Sequence, residues 1–321
     1  MTKILAYRFS AFGDVAMIVP VLKEFLAQNP QVEIVFVSRK NFSDLFLNIE
    51  RLTFCGVNLD DYKGVFGLRK LVKKLNKEHQ PTFVADLHDV LRSKIMTILF
   101  KLRRKKTATI DKGRKGKNEL TRKENKIKKT LKSTPERYAD VFRKLGFSLK
   151  LSHQLPENSH QKSGIGFAPF AQHAGKMLPI EKSLELVKIL SQKNEIFLFG
   201  GGKKEVEILK QWECEIENTT SLAGKLSLKE ELKKISELEV MISMDSANMH
   251  LASLVGTRVV SVWGATYYFA GFLGYGQSEK DIVEISDLEC RPCSVFGNKP
   301  CYRGDYACLN QIEISEILNK I

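Results

Sequence analysis

Five segments of the chain hold residue types that could do chemistry. The first, Arg8-Phe9-Ser10-Ala11-Phe12-Gly13-Asp14, joins a short apolar run to a helical pattern. A carboxylate at the start of a helix is stabilised by unpaired N–H groups and by the helix dipole. Asp14 therefore reads equally as a cap or as a general base held against an acceptor hydroxyl. The second, Asp86-Leu87-His88-Asp89-Val90-Leu91-Arg92, gathers two acids, a histidine and an arginine. Arg92 could grip an anionic acceptor with two parallel N–H bonds; a solvated helix start is the plainer reading. The third ends in Gly175-Lys176, where a lysine can neutralise a diphosphate and the charge that builds on a leaving group. The plain alternative is a surface lysine. The fourth runs from Met241 to His250. Asp245 could accept from sugar hydroxyls, and Ser246 and Ala247 open a helix whose free N–H groups could bind phosphate. His250, one turn further, reads first as a hydrogen-bonded packing residue. The fifth is Cys290-x2-Cys293-x7-Cys301-x6-Cys308, four thiols that could hold a structural zinc. The first pair has ligand spacing, the second is wider, and reduced thiols or disulfides stay open as alternatives. Cys55 and Cys214 read as isolated core residues.

These segments need elements to position them. Lys3 to Phe9, Val32 to Val37 and Thr82 to Asp86 read as buried strands of the first half. Val15 to Ala27, Leu68 to Lys77 and Val90 to Leu102 carry helical spacing, which resumes near Pro135. In the second half, Gly164 to Ala168, Glu195 to Phe199, Val240 to Ser243 and Arg258 to Val262 read as strands. Between them lie helical patterns over Glu181 to Leu190, Glu205 to Trp212, Leu226 to Ile235 and Asn248 to Leu254, and Ile312 to Ile321 closes the chain as a short amphipathic helix. Strands alternating with helices predict parallel sheets in two doubly wound α/β domains, whose ligands sit beyond the carboxyl ends of the strands. The polar stretch 150–163 fits a linker. The strand ending in Gly200-Gly201-Gly202 puts Gly200 and Gly201 at such a carboxyl end.

Composition narrows the classes. The chain has 321 residues, enough for two domains, with 43% apolar and 27% charged residues, as in soluble globular proteins. No apolar run approaches the ~18 residues of a transmembrane helix, and the first residues lack the apolar core of a signal peptide. The loop after the first strand lacks the glycine spacing of a dinucleotide fingerprint, which removes the main support for a nicotinamide enzyme. Residues 1–160 hold 33 Lys and Arg against 16 Asp and Glu, whereas residues 161–321 hold 18 against 21. The excess points to an anionic partner of the first half: nucleic acid, an anionic membrane surface or a phosphorylated substrate. Residues 101–132 alone carry fifteen Lys or Arg and three acids, and read as a mobile or partly helical basic excursion.

RFSAFGDVAMIVPVL, DLHDVLRS, SLAGKLSLKEEL and ISMDSANMHLASLVGTRVVSVWGATYYFAGFLGYGQ, taken in order, resemble glycosyltransferase family 9, the lipopolysaccharide heptosyltransferases. The CRPC…C…C tail is seen in some members. The resemblance covers nearly the whole chain. It implies a GT-B architecture, two Rossmann-like doubly wound domains facing an interdomain cleft. Residues 1–158 would take the acceptor and residues 159–321 the nucleotide sugar, with the last helix often packing back on the first domain. It implies Asp14 as general base, Lys176 on the donor diphosphate, Asp245, Ser246 and Ala247 on the donor, and His250 as the family histidine. Gly200 and Gly201 join the donor side; Arg8, Ser10, Gly13, Asp86, His88 and Arg92 join the acceptor side. The implied reaction is an inverting transfer of heptose from ADP-heptose to the inner core of lipopolysaccharide.

With no Asp-x-Asp motif in the sequence, catalysis is expected to need no divalent metal or other cofactor, any zinc at the cysteines being structural. The implied partners are the nucleotide sugar, an anionic lipid A and core oligosaccharide acceptor, and the inner face of the cytoplasmic membrane, where an otherwise cytoplasmic enzyme would sit peripherally. Here the fourth segment reads Asp-Ser-Ala-Asn, where better-known heptosyltransferases carry Asp-Thr-Gly, and the loop before Lys176 lacks their threonine. Those departures leave the donor sugar, and Gln172 as a phosphate ligand, open. A GT-B transferase of surface-polysaccharide assembly using another nucleotide sugar is the first alternative, and a member that binds without turnover is another. A nucleic-acid-binding protein using residues 101–132 is the alternative of a different class. It is supported by a pI of about 9.4 and opposed by the lack of any aromatic residue in that segment to stack on bases.

Overall fold

A computed structural model describes residues Met1–Ile321. The chain divides by its contacts into two compact units. The first comprises residues 1–112 and 134–152; the second comprises residues 113–133 and 153–321. The boundary thus falls after Ser152 rather than at 158. The basic stretch 101–132 is also no single excursion. Its first part supplies a strand to the first unit, and residues 113–133 belong to the second, where the Leu131 amide donates to the Phe269 carbonyl at 2.9 Å. This redistributes charge: the first unit keeps 24 Lys and Arg against 13 acids, and the second has 27 against 24.

The first unit is built on five parallel strands, β1 (Thr2–Tyr7), β2 (Val32–Arg39), β3 (Leu52–Val57), β4 (Phe83–Asp86) and β5 (Lys106–Thr109), in the order β3-β2-β1-β4-β5. The β-branched run Val32 to Val37 makes β2 a strand covered on both faces, as parallel sheets require. The helix Gly64–His79 buries Leu68, Leu71, Val72 and Leu75, one stripe at helical spacing, against Leu5, Val35 and Val84. It ends where Gln80 turns left-handed at φ 46°. The expected helix at Val15 to Ala27 is two helices, Phe12–Ala16 and Ile18–Gln28.

The second unit carries six parallel strands, β6 (Ile165–Ala168), β7 (Ile196–Leu198), β8 (Thr219–Ser221), β9 (Val240–Met244), β10 (Arg258–Trp263) and β11 (Ile282–Glu284), in the order β11-β10-β9-β6-β7-β8. Its core joins Phe167, Ile242, Val260 and Leu198 to Leu186, Leu209 and Trp212 of the covering helices. The last helix, Ile314–Leu318, buries Ile317 in this same core. No helix of the protein is long and apolar enough to cross a membrane.

Strand order decides where sites can form. In the first sheet the winding reverses between β1 and β4; in the second it reverses between β6 and β9. Loops leaving neighbouring strands in opposite directions open a crevice at the carboxyl ends. Four of the five chemically promising segments are the loops that follow β1, β4, β6 and β9.

Candidate functional site

In the first unit, Arg8 organises the crevice. Its guanidinium donates from Nη1 to the Leu87 carbonyl at 2.7 Å and pairs through Nη2 with Asp14 Oδ2 at 2.6 Å. It also lies over the Tyr138 ring, 5.7 Å from its centre. The Tyr138 hydroxyl donates to the Asp14 main-chain carbonyl at 3.2 Å, and the Ala11 amide donates to Asp14 Oδ2 at 3.2 Å. Asp14 thus has the position of a cap and the surroundings of a fixed carboxylate. It closes the start of the helix Phe12–Ala16, and it is a carboxylate kept in place by a buried cation, with 24% of its side chain exposed. Gly13 lies in that helix, and the Ser10–Ala11 peptide bond is cis.

The loop after β4 meets the loop after β1 where Ser10 Oγ lies 3.3 Å from His88 Nε2. Burial first, and then the positive charges of Arg8 and Lys112, push the His88 imidazole down to about 3. It is a neutral hydrogen-bonding group at any pH near 7. Asp86 corrects the expectation of an acceptor contact. It is wholly buried, one oxygen accepting from the His88 and Asp89 amides at 2.9 and 3.0 Å and the other from Thr97 Oγ1 at 3.2 Å. Its work is to fold the loop, since a buried carboxylate must have its acceptor sites filled. Arg92, half-buried in the first turn of the helix Leu91–Lys101, stands on the rim of this crevice.

In the second unit, Lys176 and Asp245 come together. Lys176 Nζ lies 2.8 Å from Asp245 Oδ2, with the two side chains 16% and 5% exposed. The same oxygen accepts from Thr266 Oγ1 at 2.8 Å. Behind Thr266 stands Arg291, 2% exposed, which donates to the Gly264 and Thr266 carbonyls at 2.6 and 3.0 Å and pairs with Glu284 at 2.8 Å. This clamp fixes the loop after β10, which in turn fixes Asp245. Gly297 closes the far side: a Cβ there would meet Lys176 Cγ at 2.4 Å, and its φ is 74°, so only glycine fits.

Ser246 and Ala247 lie beside this pair. Ser246 is the N-cap of the helix Ala247–Leu254 and makes no side-chain cap bond; its Oγ lies 3.3 Å from Ser243 Oγ instead. Ser246, Ala247 and Asn248 are half-exposed, so a cation and the amide end of a helix stand together, the arrangement that binds phosphate. His250 is buried in this helix.

The expectation for the glycine loop does not hold as drawn. The Gly201 and Gly202 amides already donate to Glu205 Oε2 at 2.9 and 3.1 Å, so the helix Lys203–Glu215 caps itself and the loop of Gly200 and Gly201 offers a donor no such amides. The cysteines form no disulfide, and no three His, Cys, Asp or Glu side chains come together as metal ligands. Cys290, Cys293, Cys301 and Cys308 lie near enough to one another for their charges to interact. Cys293 donates its amide to the Ala265 carbonyl at 3.1 Å, and burial pushes the Cys308 thiol up to about 12. The cysteine-rich loop braces the Lys176–Asp245 pair from behind.

Sequence reasoning did not find Tyr138, Thr266, Arg291, Glu284 and Glu205 as site residues. Tyr138 reads as one more apolar position on a helix face, and Thr266 and Arg291 act only through long-range bonds. Glu205 alone left a local trace, a glutamate three residues after Gly202, as in a capping box.

Comparison with known proteins follows the same lines. Residues 68–299 match the model of glycosyltransferase family 9 (heptosyltransferase). A lipooligosaccharide heptosyltransferase 2 of Campylobacter jejuni is 26% identical over 186 residues, 56% of each chain. The lipopolysaccharide core heptosyltransferase OpsX of Haemophilus influenzae is 25% identical over 285 residues, covering 80% of this chain and 77% of that protein. The alignment thus spans little more than half the length of the Campylobacter relative. The fold is shared with a family 9 glycosyl transferase of Veillonella parvula, at a TM-score of 0.74 and 16% identity over 99% and 96% of the two chains. It is also shared with the E. coli ADP-heptose heptosyltransferase II, at 0.70 and 18% over 99% and 97%. These likenesses are to GT-B enzymes, and the two Rossmann-like units are of that class.

Proposed function

The chain belongs to glycosyltransferase family 9, and from that premise we propose that it transfers heptose from ADP-heptose to the inner core of lipopolysaccharide with inversion at the anomeric carbon. One observation carries the reading: Lys176, held 2.8 Å from Asp245 beside the open amide end of the helix Ala247–Leu254, forms a cationic seat at the β6/β9 switch point. A nucleoside diphosphate fits that seat. As it binds, its oxygens compete with Asp245 for the lysine ammonium. As the glycosidic bond breaks, the electron pair goes to the β-phosphate oxygen, and Lys176 and the helix amides stabilise the charge that develops there.

The first unit takes the acceptor, whose hydroxyl oxygen attacks the anomeric carbon while Asp14 accepts its proton. Pairing with Arg8 holds the Asp14 carboxylate in place, and a carboxylate is a weak base. A weak base suffices if the proton moves late, because the hydroxyl becomes strongly acidic once its oxygen begins to bond to carbon. His88, neutral at pH 7, and Ser10 serve as hydrogen-bonding groups to the acceptor, and Arg92 as a cation at the rim. The excess positive charge of the first unit would hold the enzyme at an anionic membrane surface, the inner face of the cytoplasmic membrane. The reaction uses no divalent ion, so turnover in EDTA should equal turnover in its absence.

The deciding experiment is ADP release from ADP-heptose with a heptose-deficient lipopolysaccharide acceptor, native protein against Asp14→Asn. Acceptor-dependent release that collapses in the variant supports both donor and base. A folded native protein that releases no ADP removes the heptose assignment. A second reading, transfer from another nucleotide sugar, is favoured by Ser246-Ala247 in place of the Thr-Gly of better-known heptosyltransferases. Competition among ADP, UDP and GDP for the second unit separates the two.

A further inference from the structure

A cavity of about 340 Å³ opens in the second unit, where the segment 113–133 lies against the cysteine-rich loop. Its polar lining is Thr121, Arg122, Lys123, Lys126, Lys299 and Tyr302: four cations and no carboxylate. Lys126 is half-buried and Arg122, Lys123 and Lys299 are exposed, whereas the buried cations of the two crevices are each paired with a carboxylate. Arg8 is paired with Asp14, Lys176 with Asp245 and Arg291 with Glu284. In the cavity the cations meet only neutral groups. Lys126 Nζ donates to the Cys290 and Pro292 carbonyls at 2.6 and 2.9 Å. Arg122 Nε donates to the Asn125 carbonyl at 2.6 Å, and Lys123 lies over the Tyr302 ring, 5.6 Å from its centre. Lys299 is exposed and takes no partner from the protein.

Like charges gathered without a counter-charge repel one another, and a concave wall of low dielectric concentrates their field. An anion of two charges relieves all of this at once, through short charge-assisted bonds from several donors. The Tyr302 ring and Pro300 provide an apolar wall beside the cations, and the volume suits a phosphate with one sugar ring attached. We propose that this cavity binds a phosphomonoester, at a site separate from the Lys176–Asp245 seat. The proposal stands whichever sugar the enzyme transfers.

The two sources of such a group, a soluble sugar phosphate and a lipid headgroup, are tested side by side on the full chain at low salt. Glucose 6-phosphate is titrated calorimetrically, with glucose as the neutral control. Vesicles of phosphatidic acid in phosphatidylcholine are used for co-sedimentation. Lys299→Glu combined with Arg122→Glu changes two exposed side chains, the arginine's bonds being to the Asn125 carbonyl of its own turn, and should weaken glucose 6-phosphate binding at least tenfold. Lys176→Gln should leave that binding within twofold, and glucose should not bind. Vesicle capture that falls in the double variant, without binding of the soluble probe, supports the site with a lipid headgroup as the carrier. The proposal is overturned if the native protein binds neither probe, if the double variant binds as well as the native protein, or if Lys176→Gln abolishes binding.

Discussion

Each unit of this protein places a cation–carboxylate pair at the point where its sheet reverses direction, and the two pairs are built in opposite ways. Arg8 and Asp14 come from one loop, six residues apart, and the arginine is the fixed partner, held by the Leu87 carbonyl and the Tyr138 ring. Lys176 and Asp245 come from two loops, and here the carboxylate is the fixed partner, held by Thr266 and only 5% exposed. A rigid guanidinium presents a carboxylate. A rigid carboxylate holds a flexible lysine ready for exchange, since Lys carries a compact charge on a long stem. The first arrangement suits proton transfer from an acceptor; the second suits capture of an anion that replaces Asp245.

The largest test of that contrast is a pair of neutralising variants. Asp14→Asn should lower turnover by about 10²–10⁴-fold with donor affinity unchanged. Lys176→Gln should lower turnover by about 10²–10³-fold and also weaken donor binding, because it acts on the leaving group in both ground and transition states. Equal effects of both variants on donor affinity would erase the distinction.

Next in size is Arg291→Lys, which loses the fork that holds the Gly264 and Thr266 carbonyls together. Urea unfolding should show a loss of about 2–3 kcal/mol, with a raised KM for the donor. A variant that is destabilised but binds donor normally would separate the clamp from the Lys176–Asp245 pair.

The pH dependence of stability tests the first unit. The unfolded chain protonates His88 near its ordinary value of 6.5, whereas the folded chain resists until about 3. Below 6.5 the unfolded state binds more protons, so stability falls as pH drops. His88→Gln should remove about 2 kcal/mol of the loss between pH 7 and pH 4.5, read from denaturant midpoints. An unchanged pH profile would mean that the imidazole protonates freely.

The smallest effect belongs to Glu205→Ala, which uncaps the helix Lys203–Glu215. It should lower stability by about 1 kcal/mol and leave donor affinity alone. A change in donor affinity would return the glycine loop to the donor site.

The loops after β1, β4, β6 and β9 were legible because each lies between a β-branched or apolar run and a helical period, and because Asp14, Lys176 and Asp245 stand at strand ends. Other elements were hidden for particular reasons. β5 reads Lys-Thr-Ala-Thr inside the most basic stretch of the chain, where charge masks the alternation of a strand. β8 is three residues of Thr-Thr-Ser, too short for any period to show, and it is a strand because it pairs with β7. The clamp on Asp245 was invisible because Arg291 reaches Thr266 across 25 residues. The glycine run was placed on the donor side because it ends a strand, and the carboxylate that occupies the Gly201 and Gly202 amides sits in the helix that follows.

The path of the chain also sets an order of manufacture. On the ribosome the strands of the first unit, and the helix that completes it, are finished once Ser152 has emerged. The segment 113–133 emerges with them, ahead of the rest of the unit to which it belongs. The carbonyl that receives the Leu131 amide belongs to Phe269, well over a hundred residues later, a delay of roughly 7–30 s at typical rates of translation. For that interval nine lysines and arginines hang from a finished half-protein as a tethered basic strap.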